Sequence, residues 1–142
     1  MTTVEAPVAV DATADAVWAV LSDTQAWPTW SDVLVALDGP REVGAPQRLR
    51  LRMVGGLPLR TTVVLTAWEP GRRLEWRGGV PGLFVAQHGF GIEPAEVGVR
   101  LVHYERFTGV LAALLAPLLR RLLPRHERVA RDLGRVAESR SG

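Results

Sequence analysis

The segment that decides the fold is DATADAVWAVLSDTQAWPTWSDV, residues 11–33. Asp11 or Thr13 can cap a helix whose apolar side chains recur at helical spacing. The WPTW motif at residues 27–30 then interrupts the chain, and Pro28 suits the first turn of a second short helix. We therefore predict two short helices here, whose tryptophans attach them to the rest of the protein.

Strand-like alternation flanks this segment on both sides. We predict one strand before it and six after it, separated by turns that contain glycine or proline. The predicted strands cover residues 2–10, 33–37, 47–54, 59–68, 73–77, 84–92 and 97–108, with a loop at residues 78–82. Their hairpin-like spacing favours a single antiparallel sheet.

From Gly109 the spacing of apolar residues becomes helical. One stripe carries leucines, valines and His126, and arginines occupy most of the remaining surface. Pro117 and Pro124 interrupt this pattern, so the regular helix is expected to begin late. These elements predict one α+β domain over residues 1–142, with a seven-stranded antiparallel sheet wrapped round a long C-terminal helix and an internal cavity. Residues 139–142 are expected to form a flexible tail.

The composition excludes several kinds of site. The chain has no cysteine, so disulfides, thiolate metal sites and cysteine nucleophiles are excluded. All 17 basic residues are arginine, so a Schiff-base mechanism, which needs a lysine, is excluded too. An arginine-only basic set with abundant alanine, glycine and valine is typical of a GC-rich bacterial source.

The charge and hydropathy of the chain limit the kinds of partner it can bind and the cellular location we expect. The formal net charge is only +2, and no dense basic cluster is present, so we predict no nucleic-acid partner. No apolar run is long enough to span a bilayer, and no secretory signal is recognisable. We expect a cytoplasmic protein without integral membrane association. Transient contact with a membrane surface is compatible with the sequence.

Three titratable side chains share an otherwise apolar face of the last two strands. His88 alternates with apolar residues in one strand, and His103 and Glu105 do so in the next. If Glu93 and Gly98 close the hairpin, His88 lies opposite His103, and a shift by two residues keeps all three groups on one face. These groups either satisfy one another or form a polar spot in an apolar pocket, where they would orient a ligand or move a proton.

Two histidines and a carboxylate are also a combination that binds metal ions. No ligand spacing defines a geometry here, and we expect no third histidine to lie nearby. We therefore predict no metal site and no cofactor. His126 is expected to be a helix-face residue that packs against the sheet.

With these features the chain resembles the START-like helix-grip superfamily, in the branch called polyketide cyclase/dehydrase and lipid transport (SRPBCC). Five motifs carry the resemblance: ADAVWAVLSD at residues 14–23, Trp27-Pro28 with Trp30, LEW at residues 74–76, HGF at residues 88–90 and HYERFTG at residues 103–109. The resemblance implies a deep cavity for a hydrophobic molecule between the sheet and the last helix. Members include lipid carriers, aromatase/cyclases and hormone receptors, and no catalytic residue transfers, because these differ among the branches.

The leading hypothesis is a binder or carrier of a small, largely apolar molecule, lipid or polyketide-like, in that cavity. The predicted ligand-binding residues combine apolar groups with the three titratable ones: Leu51, Met53, Thr61, Val63, Trp76, Phe84, His88, Phe90, Leu101, His103, Glu105 and Phe107. The first alternative is a cyclase, aromatase or dehydratase in which His88 or His103 exchanges protons and Glu105 sets the histidine tautomer. The second is a protein-interaction module that uses the Arg-rich terminal helix.

Overall fold

The computed structural model describes residues 1–141, and within them seven strands form one antiparallel sheet. The strands are β1 Thr2–Val10, β2 Leu34–Asp38, β3 Pro46–Arg52, β4 Pro58–Glu69, β5 Arg73–Val80, β6 Phe84–Pro94 and β7 Val99–Thr108. The order β1-β7-β6-β5-β4-β3-β2 brings the first and last strands of the chain side by side. With the long helix described below, this confirms the predicted α+β helix-grip architecture.

The two short helices predicted between the first strands are present. Helix α1 spans Ala14–Ser22, and its N-cap is Thr13, whose Oγ1 accepts a hydrogen bond from the Ala16 amide at 3.1 Å. A 3₁₀ helix follows at Thr24–Thr29. Pro28 lies inside this helix rather than in its first turn, because the helix already begins directly after α1.

The chain closes with helices α2 Val110–Leu114, α3 Ala116–Leu119 and α4 Leu123–Ser141. Pro117 stands in the first turn of α3, where a missing amide hydrogen leaves no helical hydrogen bond unmade. Pro124 is the second residue of α4, directly after a 3₁₀ turn at Arg120–Leu122. The prediction of a late regular helix is therefore confirmed. Residues 139–141, expected in a flexible tail, continue α4, and Gly142 lies outside the described residues. Among the described residues, no helix is both long enough and apolar enough to cross a membrane.

The predicted loop at residues 78–82 is wrong, because β5 continues through Gly78 and Gly79 to Val80 and pairs with β6. Gly79 has a φ of +115°, and a Cβ there would lie 2.1 Å from the carbonyl oxygen of Phe84. Only glycine permits this approach of the two backbones. The connection is consequently a tight turn rather than a long loop.

Tryptophans attach the short helices to the sheet, as predicted. Trp27 is fully buried and donates its indole N–H to the carbonyl oxygen of Leu21 at 2.9 Å. Its ring centroid lies 6.0 Å from that of Trp76 in β5. Trp18 of α1 meets Trp68 of β4 edge-on, with ring centroids 5.1 Å apart. These contacts belong to the main core, which joins α1, α4 and the sheet.

A second, smaller apolar cluster lies where β1, β6 and β7 meet the short helices α2 and α3. Val4, Phe107 and Leu119 are buried in it. The two clusters are not in continuous contact, and residues from both line the space between them. That space is the internal cavity.

Candidate functional site

An internal cavity of about 420 Å³ lies between the sheet and the C-terminal helices. Strands β3 to β7 form one wall, and α3 and α4 form the other. Most of the lining is apolar, and the titratable groups are gathered together. A cavity of this size and composition suits a small molecule.

Most residues predicted to bind a ligand line this cavity. They are Leu51, Met53, Thr61, Val63, Trp76, Phe84, His88, His103, Glu105 and Phe107. Phe90 and Leu101 do not line it, because both are fully buried in the main core. The ring of Phe90 stacks on the imidazole of His103, with centroids 4.2 Å apart. Phe90 thus supports a cavity residue without reaching the cavity itself.

The register of the β6–β7 hairpin is two residues away from the predicted one. His88 pairs with Glu105, and Phe90 pairs with His103, so the two histidines are not directly opposite each other. Residues 95–98 form the turn instead, since Pro94 pairs with Val99. An even shift leaves every side chain on its face, so the three titratable groups still point into the same space.

The three histidines of the chain meet at the wall of the cavity. One ring nitrogen each from His88, His103 and His126 lies within 4.8 Å of the other two, and all three side chains are buried. The expectation that no third histidine lies nearby is wrong, because α4 packs across β7 and carries His126 there. A polar residue on the apolar stripe of the helix was the sequence signal for this contact.

Backbone carbonyls set the orientation of two of these rings. Nδ1 of His103 lies 3.1 Å from the carbonyl oxygen of His126, and Nδ1 of His126 lies 3.0 Å from that of Leu122. A carbonyl only accepts hydrogen bonds, so each of these nitrogens carries the hydrogen. Both Nε2 atoms therefore face the cluster. Nε2 of His126 lies 2.9 Å from Oε1 of Glu105, and Nε2 of His103 lies 2.5 Å from Nε2 of His88.

Burial keeps His88 and His103 neutral near pH 7. Desolvation lowers the pKa of both imidazoles well below the usual value, and the nearby ring of His126 lowers it further. A neutral imidazole can donate one hydrogen bond and accept another. This cluster can consequently orient a carbonyl or hydroxyl group, or exchange a proton with it.

A basic depression of about 820 Å³ adjoins the cavity and shares part of its wall, including Val33, Met53 and Arg125. Its charged residues are Arg52, Arg121, Arg125, Arg128 and Asp32. Arg128 and Asp32 pair with each other at 3.1 Å. Positive charge is therefore in excess next to the apolar space.

Comparisons with known proteins agree with this architecture. The structure is similar to the di-domain ARO/CYC StfQ from the steffimycin biosynthetic pathway, with a TM-score of 0.77, 19% sequence identity and coverage of 99% of this chain and 52% of StfQ. It is similar to TTHA0849 from Thermus thermophilus, with a TM-score of 0.73 and 16% identity over 99% of both chains. At these identities the likeness shows the fold.

A second di-domain ARO/CYC protein, BexL from the BE-7585A biosynthetic pathway, matches with a TM-score of 0.64 and 16% identity. That match covers 98% of this chain and 49% of BexL, so the chain spans about half the length of either di-domain protein. A comparison with curated protein sequences found no match. The family model described as Polyketide cyclase / dehydrase and lipid transport matches residues 1–138, and the chain belongs to that family.

Proposed function

We propose that this protein binds a small, largely apolar molecule, lipid or polyketide-like, between the sheet and α4. The observation that carries the proposal is the cavity of about 420 Å³, with an apolar wall and one polar cluster. Every 100 Å² of apolar ligand surface buried there would contribute roughly 2.5 kcal/mol before the costs of ordering. Membership in a family of cyclases, dehydrases and lipid transport proteins supports a ligand of this kind.

The polar groups would set the orientation of the ligand. His88, His103 and Glu105 lie on the cavity wall and offer hydrogen-bond partners to one oxygen of an otherwise apolar molecule. Arg125 belongs both to the cavity and to the basic depression beside it. An acidic group of the ligand that faces Arg125 would therefore be favoured, because arginine binds carboxylates and phosphates well.

Filling the cavity tests the proposal. Ala86 lines the cavity from β6, so Ala86→Leu should occupy ligand space and weaken binding of a fluorescent fatty acid at least about 10-fold. The control is Ala113→Leu, which adds the same atoms to an exposed position of α2. Native mass spectrometry of the protein purified from its host should also reveal a bound apolar molecule. Equal fatty-acid affinities in the wild type and in A86L would contradict binding in this cavity.

A second candidate function is proton transfer during cyclisation, aromatisation or dehydration of a poly-carbonyl substrate. It is favoured by the neutral histidines on the cavity wall and by the likeness to two ARO/CYC proteins. His88 or His103 would take a proton from an enolisable carbon, and Glu105 would set the tautomer of His88. Replacing both histidines by alanine should then abolish turnover of a poly-carbonyl thioester, whereas a carrier would lose only affinity.

A further inference from the structure

All histidines of this chain converge on one point. The sequence contains three histidines and no cysteine, and His88, His103 and His126 come from β6, β7 and α4. Nothing in the spacing of residues 88, 103 and 126 demands this contact. The rings are stacked on one another, with centroids 4.7 Å apart for His88 and His103 and 4.5 Å apart for His103 and His126.

The hydrogen bonds around the cluster leave ring lone pairs pointing inward. Nδ1 of His103 and of His126 each donates to a backbone carbonyl oxygen, so both Nε2 atoms present a lone pair to the cluster. Histidines that bind metals usually have this arrangement, in which the outer nitrogen donates to a carbonyl or carboxylate and the inner one coordinates. Nδ1 of His88 has no such hydrogen bond within the described part of the chain, because its nearest carboxylate oxygen, Oε2 of Glu105, lies 3.8 Å away.

Acceptors also face acceptors inside the cluster. With Nδ1 of His126 donating outward, its Nε2 lone pair faces the carboxylate oxygen Oε1 of Glu105 at 2.9 Å. Two such acceptors need a proton or a metal cation between them. Glu105 adds a negative charge to a largely buried group of rings, and that charge favours a cation as well.

We propose that His88, His103 and His126, with the carboxylate of Glu105, bind a divalent first-row transition-metal ion, and that zinc fits best. Imidazole and carboxylate are suitable ligands for zinc, and four of them complete a tetrahedral site. Zinc bonds of about 2.0–2.1 Å separate neighbouring ligand atoms by about 3.3 Å. The ring nitrogens here are separated by 2.5 Å for the closest pair and by at most 4.8 Å, so small side-chain rotations reach that spacing.

The position of this site connects it with the cavity. His88, His103, His126 and Glu105 all belong to the cavity wall. Zinc can expand to five ligands, so a carbonyl oxygen of a cavity ligand can join its coordination shell and be polarised there. The metal site nevertheless stands without the apolar ligand, since every ligand atom comes from the protein.

The test begins with the wild-type protein, stripped with a chelator and titrated with Zn²⁺ by calorimetry. We expect one site per chain with a micromolar or tighter Kd. Long-range ¹H–¹⁵N NMR spectra should show three imidazoles in all, and the Nε2 resonances of all three should move together when zinc binds. Co²⁺ should give the intense visible absorption of a four-coordinate ion. None of these measurements requires a cavity ligand or an enzymatic activity.

Variants assign the site to these residues. His126→Gln should weaken zinc binding by more than the about 10- to 100-fold that changing an outer-shell partner costs. Glu105→Gln should weaken it at least about 10-fold. The matched control is Glu96→Gln, the same change at an exposed position of the β6–β7 turn, and it should leave the affinity unchanged. Circular dichroism and thermal unfolding would show that each variant is folded.

Three results would overturn the proposal. The first is a wild-type protein that takes up no zinc at micromolar concentration. The second is zinc uptake that leaves the imidazole resonances where they were, because the ion would then lie on surface carboxylates. The third is a folded H126Q that binds zinc as tightly as the wild type.

Discussion

At the scale of single residues, Glu75 is a buried carboxylate that does not line the cavity. Its neighbour Trp76 lines the cavity, so Glu75 points to the other face of the sheet. The carboxylate accepts hydrogen bonds from the Tyr104 hydroxyl, from Gln87 at 2.6 Å and from Thr66 at 2.8 Å. Burial alone would raise the pKa of Glu75, but these hydrogen bonds outweigh burial and lower it.

This lowered pKa predicts a contribution to acid unfolding. The unfolded state binds more protons at Glu75 than the folded state does, so the contribution is fully present above the unfolded pKa and is lost as the pH falls through the folded pKa. Glu75→Gln should reduce the free energy of unfolding at neutral pH by about 1 to 3 kcal/mol. It should also flatten the loss of stability as the pH falls below the ordinary glutamate pKa of 4.5, as measured by urea denaturation. Glu96→Gln should change neither quantity, and an E75Q profile parallel to that of the wild type would contradict the assignment.

At the scale of elements, the end of the β5–β6 hairpin contributes directly to the cavity. Gly78 and Gly79 of β5 and Phe84 of β6 all line it. This part of β5 pairs with β6 only because Gly79 adopts a positive φ that ordinary side chains rarely adopt. Gly79 therefore allows the last residues of β5 to pair with β6 and also forms part of the cavity wall.

Gly79→Ala should destabilise the protein by about 2 kcal/mol or more, since the new Cβ would meet the backbone of Phe84 in a strained conformation. Chemical denaturation measures this change. Gly91→Ala is the matched control in β6, because a Cβ there meets no atom within 4 Å. Its effect should stay within about 0.5 kcal/mol. Equal effects of the two substitutions would show that the close approach at Gly79 is not a constraint.

At the scale of the whole molecule, one helix holds both the core and the candidate site together. Helix α4 packs against β1, β7 and α1, and it buries Val129 and Leu133 on the side that faces them. The same side carries His126, in the first turns after Leu123. The geometry of the histidine cluster consequently depends on how α4 docks on the sheet.

Leu133→Ala should remove about 2 to 5 kcal/mol from the free energy of unfolding, because Leu133 is fully buried in the main core. The control is Leu118→Ala, which removes the same atoms from a residue that is 58% exposed to solvent. Its effect should be below about 1 kcal/mol. Urea denaturation compares the two. A cost for L133A no larger than that for L118A would mean that α4 does not hold the fold together.

The sequence by itself determined the features that depend on near neighbours. Capping chemistry limited the first helix start to Asp11 or Thr13, and the structure selects Thr13. The late helix starts near Pro117 and Pro124 follow from the chemistry of proline, and the shared face of His88, His103 and Glu105 follows from alternation. The pairing register of the β6–β7 hairpin was not determined by the sequence, since a shift by two residues leaves every side chain on the same face. Periodicity therefore identified the fold that encloses the cavity and most of the residues that line it.

Only the tertiary structure decided which of these residues reach the cavity and which other elements pack against them. Phe90 has the alternation of a cavity residue, yet it is buried in the core, because a strand pattern specifies a face and not the depth at which another element covers it. The helical stripe predicted that His126 faces the sheet, but its contact with His103, 23 residues away along the chain, depends on how α4 docks across β7. The third histidine, and with it the proposed metal site, joins the cluster only where separate elements pack together.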